Sequence, residues 1–160
     1  MNKYNAKKVI VTVDGTLFEE AIVKRYKLEI VGTRFDSKAE GEYYQQLIPL
    51  LKDGTLERIE FQPAYVLQES PKITYKADFL LIFSNGEQIV VDVKGVETAT
   101  FRLKRKLFKT KYPNLTLQII KKHRGMWMTD EDIKKEKAAH RKAVKQLLQR
   151  ADGGVRNGRI

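Results

Sequence analysis

Thr74–Gly95 reads TYKADFLLIFSNGEQIVVDVKG, and how these residues pair decides the fold. Two apolar runs, Thr74–Phe83 and Glu87–Val93, flank Ser84-Asn85-Gly86, a hairpin signal. Gly95 ends the pattern. Each run carries an acid in an apolar setting: Asp78 between Ala77 and Phe79, Asp92 between Val91 and Val93. Side chains at i and i+2 share a strand face, so Asp92 and Lys94 point one way and Val91 and Val93 the other. Burying a charged pair against an apolar sheet is costly unless the charges satisfy each other or bind an ion.

The loop length sets whether the two aspartates meet. A two-residue Asn85-Gly86 loop places Asp78 opposite Val93, with the aspartates on opposite faces. A three-residue Ser84-Asn85-Gly86 loop pairs Phe83 with Glu87 and places Asp78 across from Asp92. Gly86 suits the left-handed last position of the longer loop, which is the preferred register. Facing carboxylates repel and invite a divalent cation. Mg²⁺ is expected, with Mn²⁺ as a substitute, because it takes carboxylate oxygens and keeps waters for a phosphate substrate.

Outward from the hairpin, Lys8–Val13 reads as a strand ending at Asp14-Gly15. Thr16–Ile30 reads as a helix capped by Thr16, with strand an alternative for its second half. Ser37–Lys52 is a stronger helix, with Ser37 as N-cap and Glu40 at the third position of a capping box. Pro49 predicts a kink or an early end. Arg58–Gln68 reads as a strand that Pro63 bends or confines to an edge. Thr98–Tyr112 is a basic helix ended by Pro113, Leu115–Ile120 a strand and Lys121–Met128 a loop. Thr129–Ala151 is a charged helix capped by Thr129, and Asp152–Ile160 a flexible tail. From Ser37 the order is α-β-β-β-α-β, an α/β sandwich with one mixed sheet.

The chain has 160 residues, 31 Lys and Arg, 20 Asp and Glu, and a net charge of +11. Residues 1–94 hold 13 basic and 14 acidic side chains, whereas residues 95–160 hold 18 and 6. A near-neutral body with a basic final part suits a polyanionic partner, nucleic acid before an acidic membrane surface. No apolar run approaches a membrane span, and the N-terminus lacks the apolar core of a secretory signal, so a cytoplasmic protein is expected. Zero cysteines exclude disulfide scaffolds, Cys-ligated metal and thiol catalysis. Two histidines, His123 and His140, leave little material for a His-rich site or a Ser/His/Asp triad.

Glu40, in the first turn of the Ser37 helix, is the third candidate acid, although its capping-box role is an alternative account. Together Glu40, Asp78, Asp92 and Lys94 form the apparatus of metal-dependent phosphodiester hydrolysis, with the three acids as metal ligands. In the basic helix, Arg102, Arg105, Lys106 and Lys109 fall within an arc of about 100° and form a candidate phosphate-binding face. Leu103 and Leu107 are assigned to its core side. Gln62 either assists the site or is a polar edge residue. Tyr43 and Tyr44 read as core or rim, and Trp127 as a packing anchor or a partner contact.

Asp78…Asp92-Val93-Lys94 after a helical Glu40 resembles the PD-(D/E)XK nuclease superfamily, with Ala77 in place of its proline. More closely, FDSKAEGEYYQQL (Phe35–Leu47), QP (Gln62-Pro63), ADF (Ala77–Phe79), VVDVKG (Val90–Gly95) and FRLKRKLFKTKYP (Phe101–Pro113) resemble a small bacteriophage family, domain of unknown function 1064. NKYNAKK (Asn2–Lys8) resembles its usual start. The resemblance implies a restriction-endonuclease-like αβββαβ core over residues 1–121, with an N-terminal insertion at 14–32. A basic helical extension over 122–151 and a tail over 152–160 follow it. It also implies Asp78 and Asp92 as metal ligands, Lys94 as catalytic lysine, Glu40 as helical acid and a homodimer. The expected function is a Mg²⁺-dependent DNA endonuclease of phage origin, acting on junctions or branched DNA. The alternative is a non-catalytic nucleic-acid-binding or assembly protein on a nuclease-like fold.

Overall fold

A computed structural model describes the backbone over residues 6–154 and side chains through Arg150. Asn2–Asn5 of the family-like start and residues 155–160 of the expected tail lie outside the described residues. The chain divides into two compact units at Ile120/Lys121.

The first unit opens with a three-stranded sheet of β1 (Val9–Val11), β2 (Leu17–Glu19) and β3 (Thr33–Phe35), in the order β2-β1-β3. The Thr16–Ile30 helix is therefore corrected. Its start is β2, paired with β1 through Ile10 opposite Phe18, and only Glu20–Arg25 is helical, as α1. Glu19 precedes that helix without a side-chain cap, and Thr16 turns back to Thr12 instead. Pairing with β1 satisfies the backbone groups of Leu17-Phe18-Glu19 and sets Phe18 opposite the β-branched Ile10.

α2 (Lys38–Lys52) begins as its sequence predicts. Ser37 Oγ accepts from the Glu40 N–H at 3.2 Å, an N-cap worth about 1 kcal/mol, and donates to Glu40 Oε1 at 2.8 Å. The early end at Pro49 does not occur: the helix runs through it to Lys52. Gly41 brings α2 close to β1, because a Cβ there would lie 2.5 Å from Val9 Cγ2. Leu47 and Ile48 are buried, and Tyr43 and Tyr44 pack against Phe79, Phe35 and Phe61. Both tyrosines are thus half-buried packing residues.

The Arg58–Gln68 and Thr74–Phe83 strands each divide in two. β4 (Leu56–Phe61) is followed by β5 (Ala64–Gln68), and β6 (Ile73–Lys76) by β7 (Phe79–Phe83). The register is nonetheless continuous. Phe61 faces Phe79, Ala64 faces Lys76, and Gln62-Pro63 bridges to Ala77-Asp78 by Gln62 N–H to Asp78 O at 2.9 Å and Ala77 N–H to Pro63 O at 3.0 Å. The four segments form one long antiparallel hairpin bent across both strands at the same level. Pro63 has no N–H for the ladder, and Gln62 adopts a left-handed φ of 51°. β5 and β6 form their own two-stranded sheet beyond the bend.

The Ser84-Asn85-Gly86 turn has the three-residue form. The Phe83 N–H bonds Glu87 O, Ile82 faces Gln88, and Gly86 has a φ of +86°. β8 (Gln88–Val93) then pairs parallel with β9 (Thr116–His123), Asp92 facing Ile119. The resulting mixed five-stranded sheet has the order β10-β9-β8-β7-β4.

α3 (Ala99–Lys111) supplies the crossover between those parallel strands. Phe101 and Phe108 are buried with Leu67, Tyr75, Val90, Leu117 and Ile119. Burial of one such phenylalanine stabilises by about 1.5–3 kcal/mol. These aromatics mark the inward face; Leu107 packs against them as expected, but Leu103 does not, being 57% exposed.

In the second unit the expected Lys121–Met128 loop is a hairpin. β9 continues to His123, Arg124 and Gly125 turn at φ 51° and 81°, and β10 covers Met126–Thr129. Two positive φ values in a two-residue turn suit the twist of a hairpin. α4 (Asp130–Gly154) is capped as expected, Thr129 Oγ1 accepting from the Asp132 N–H at 3.0 Å. It extends three residues into the segment read as a tail. Trp127 is half-buried with Lys122 Nζ 5.6 Å from its ring, and His123 and Arg124 both meet Glu136.

Candidate functional site

The bend in the long hairpin creates the site. It removes Ala77 and Asp78 from the regular ladder at the end of β7, beside the end of β8. A small cleft of about 180 Å³ lies there, lined by Asp36, Glu40, Gln62, Lys76, Ala77, Asp78 and Lys94. Three of the four residues singled out for chemistry, Glu40, Asp78 and Lys94, therefore share one cleft.

Asp78 does not sit squarely across from Asp92. Regular pairing ends at Phe79 opposite Val91, and the Asp78 N–H also bonds Val91 O, at 3.1 Å. The strand slips by one residue at this point. Its carboxylate turns to the end of the neighbouring strand, where Oδ2 accepts the Val93 N–H at 2.8 Å.

Asp92 is fully buried beneath. Oδ2 accepts the Tyr75 hydroxyl at 2.6 Å, and Lys94 Nζ lies 2.8 Å from Oδ1. That ammonium is close enough for an ion pair but off the hydrogen-bonding angle, leaving Oδ1 without a hydrogen-bond partner. Lys94 also lies 5.0 Å from the centre of the Phe101 ring. Burial, followed by the Asp92 and Asp78 carboxylates, pushes the Tyr75 hydroxyl far above the ordinary phenol range, so it remains a donor.

Glu40 serves both of its alternatives geometrically. Its Oε1 accepts the hydroxyl of the N-cap Ser37 and its side chain lines the cleft, 3% exposed. Glu42 lies 3.8 Å from Lys38 in an ordinary helical pair.

Among the described residues, no group of three or more acidic or histidine side chains stands ready to hold a metal ion. The donor set fits a looser mode. Mg²⁺ binds through one or two carboxylates and retains water and substrate oxygens for its remaining positions. Asp78 supplies a carboxylate at the cleft. Asp92 Oδ1 is a buried oxygen already beside a cation and lacking an aligned donor.

The candidate phosphate-binding face needs one correction. Arg102, Lys106 and Lys109 are exposed on α3, but Arg105 is not. Its guanidinium lies 3.5 Å from Glu97, with the two side chains only 13% and 15% exposed. The inward stripe of Phe101, Phe108 and Tyr112 passes beside Arg105, so the outward arc narrows to about 60°. Lys104 is partly buried and donates to Thr74 O at 2.8 Å. Lys111 lies 3.7 Å from Glu69.

Sequence reading passed over Tyr75, Asp36 and Lys76. Tyr75 resembled any aromatic in a strand, and only the bend carries it under β8. Asp36 just before the helix cap and Lys76 two residues before Asp78 were the available signals. Asp36 lies 3.3 Å from Lys8 and 3.4 Å from Gln62 Nε2. Gln62, left open from sequence, lines the cleft at a strained backbone position.

No helix among the described residues is long and apolar enough to cross a membrane. No curated protein matches the chain. A family model described as a protein of unknown function, DUF1064, matches residues 21–127. This span covers both strands of the cleft, α2, α3 and part of the 14–32 segment expected as an insertion. The chain belongs to the DUF1064 family.

Proposed function

We propose that this protein is a Mg²⁺-dependent DNA endonuclease on a restriction-endonuclease-like core. The observation that carries the reading is the convergence of Glu40, Asp78 and Lys94 on one cleft, with Asp92 paired to Lys94 at 2.8 Å below it. The order α2, β4, β7, β8, α3, β9 supports it, being α-β-β-β-α-β once the β5–β6 excursion is set aside.

Asp78 and Asp92 would hold the ion, which supplies Lewis acidity toward the phosphate when bound. Lys94 brings a positive charge to the same end of β8, where it offsets charge developing on the phosphate. Glu40 orients a water and receives its proton. Arg102, Lys106 and Lys109 hold backbone phosphates, contacts that raise affinity without reading sequence. Among the described residues nothing reads as a base-specific module, so junctions and branched DNA are the first substrates to test, with a homodimer expected.

The test is incubation with supercoiled, linear, single-stranded and four-way-junction DNA in Mg²⁺, Mn²⁺ or EDTA. Cleavage is expected in either metal and not in EDTA, and is lost in Asp92→Ala and Lys94→Ala. Cleavage surviving in both variants overturns the site. Tight binding with no cleavage of any substrate establishes the non-catalytic alternative, which the complete burial of Asp92 favours.

A further inference from the structure

We propose that Tyr75 is the positioning residue of this centre: its hydroxyl sets which oxygen Asp92 offers to a divalent cation. The inference rests on Asp92 being a metal ligand, as proposed above.

Tyr75 is 2% exposed, and its hydroxyl donates to Asp92 Oδ2 at 2.6 Å. The donor holds Oδ2 and leaves Oδ1 as the oxygen beside Lys94. A carboxylate's terminal torsion is otherwise broad and two-fold, so an outside contact must choose its orientation. The tyrosine ring is itself fixed. Phe108 lies 5.6 Å away edge-on, Phe101 6.1 Å away and Tyr65 stacked at 6.4 Å. Its backbone is paired with Tyr65 across the β5–β6 sheet.

The hairpin bend thereby has two products. It exposes Asp78 at the cleft and places the next inward side chain of β6 beneath Asp92. Partners that orient a ligand without touching the metal typically change metal affinity by about 10–100-fold when removed.

The experiment measures Mn²⁺ binding by calorimetry, alongside cleavage of supercoiled DNA across a Mg²⁺ titration. Tyr75→Phe keeps the ring and removes the donor. It is expected to weaken Mn²⁺ binding by about 10–100-fold and to shift cleavage to higher Mg²⁺, with much of the rate recovered at saturation. In an Asp92→Asn background the same change should add no further loss. Phe108→Leu loosens the same packing without removing the donor, so it should lower the melting temperature and leave Mn²⁺ affinity unchanged. If Tyr75→Phe does not fold, Tyr75→Met replaces it with the same expectation. Wild-type affinity in a folded Tyr75 variant, or equal weakening by Phe108→Leu, overturns the inference. Wild-type protein that binds no Mn²⁺ overturns it as well. Wild-type protein that binds Mn²⁺ in a Tyr75-dependent way but cuts no DNA overturns the nuclease reading and leaves the positioning role standing.

Discussion

The backbone is interrupted at both ends of β7, and the two interruptions are built on opposite principles. At Ser84–Gly86 the backbone turns in solvent, with glycine at the positive φ and Asn85 Oδ1 accepting the Glu87 N–H at 2.9 Å. At Gln62-Pro63 and Ala77-Asp78 the backbone bends against a buried neighbour, and glutamine occupies the positive φ. A non-glycine residue there costs on the order of 1 kcal/mol. The turn uses the residue that relieves strain; the bend accepts strain and keeps a side chain at the cleft. One joins two strands, the other delivers Asp78 and Tyr75 to Asp92.

The sharpest way to break this contrast is at Asp78. Asp78→Asn can still accept the Val93 N–H, so the fold should melt within a few degrees of wild type. Cleavage should fall by roughly a thousandfold, the scale of losing a principal charge-stabilising group. Wild-type cleavage would make the bend purely structural.

A second division, between charges that reach solvent and charges that pack, runs along α3. Replacing Arg102, Lys106 and Lys109 together by alanine should weaken DNA binding more than tenfold at low salt. The slope of log affinity against log salt should flatten by about 0.9 for each phosphate no longer neutralised. Arg105→Ala should lower the melting temperature with little change of slope, because its partner is Glu97. Equal slope changes in the two variants would erase the distinction.

Alkaline unfolding probes the bend end next. Burial raises the Tyr43 hydroxyl from 10.0 to about 12, beside Phe79 at the bend. An unfolded tyrosine ionises near pH 10 while the folded one resists. The stabilisation is thus complete below pH 10 and is lost as pH rises toward 12. About 1 kcal/mol should be gone by pH 11, measured by urea unfolding. Tyr43→Phe should remove that part of the pH dependence.

The two positive-φ residues give the smallest and most direct test. Gly86→Ala should cost about 1 kcal/mol in unfolding experiments and leave cleavage unchanged. Gln62→Gly should leave stability level or raise it by up to about 1 kcal/mol, while cleavage drops severalfold. The opposite signs separate a turn from a site; matching signs would merge them.

Local chemistry was legible wherever a residue's partner lay within a few positions. Ser37 and Thr129 cap their helices, Gly86 sets the hairpin register, and α3 gives way at Tyr112 before Pro113. Legibility failed where the partner was distant. Thr16–Ile30 has helical spacing, but β1 captures its start as a strand. Arg105 belongs by spacing to an outward basic arc, but Phe101 and Phe108 rotate the helix to hold it against Glu97. Pro63 announced an interruption in one strand, but nothing near Ala77-Asp78 announced the matching one.

The sequence alone therefore determined the two capped helices α2 and α4, the basic crossover helix, the mixed order of helices and strands from Ser37 and the hairpin register. Those properties follow from backbone geometry and from capping and turn preferences, all of which act over short separations. The tertiary structure decided the bend, the slip at Asp78, the Tyr75 contact and which cations of α3 face outward. These depend on which distant surfaces exclude water together, and packing across the sheet, not spacing along the chain, settles that.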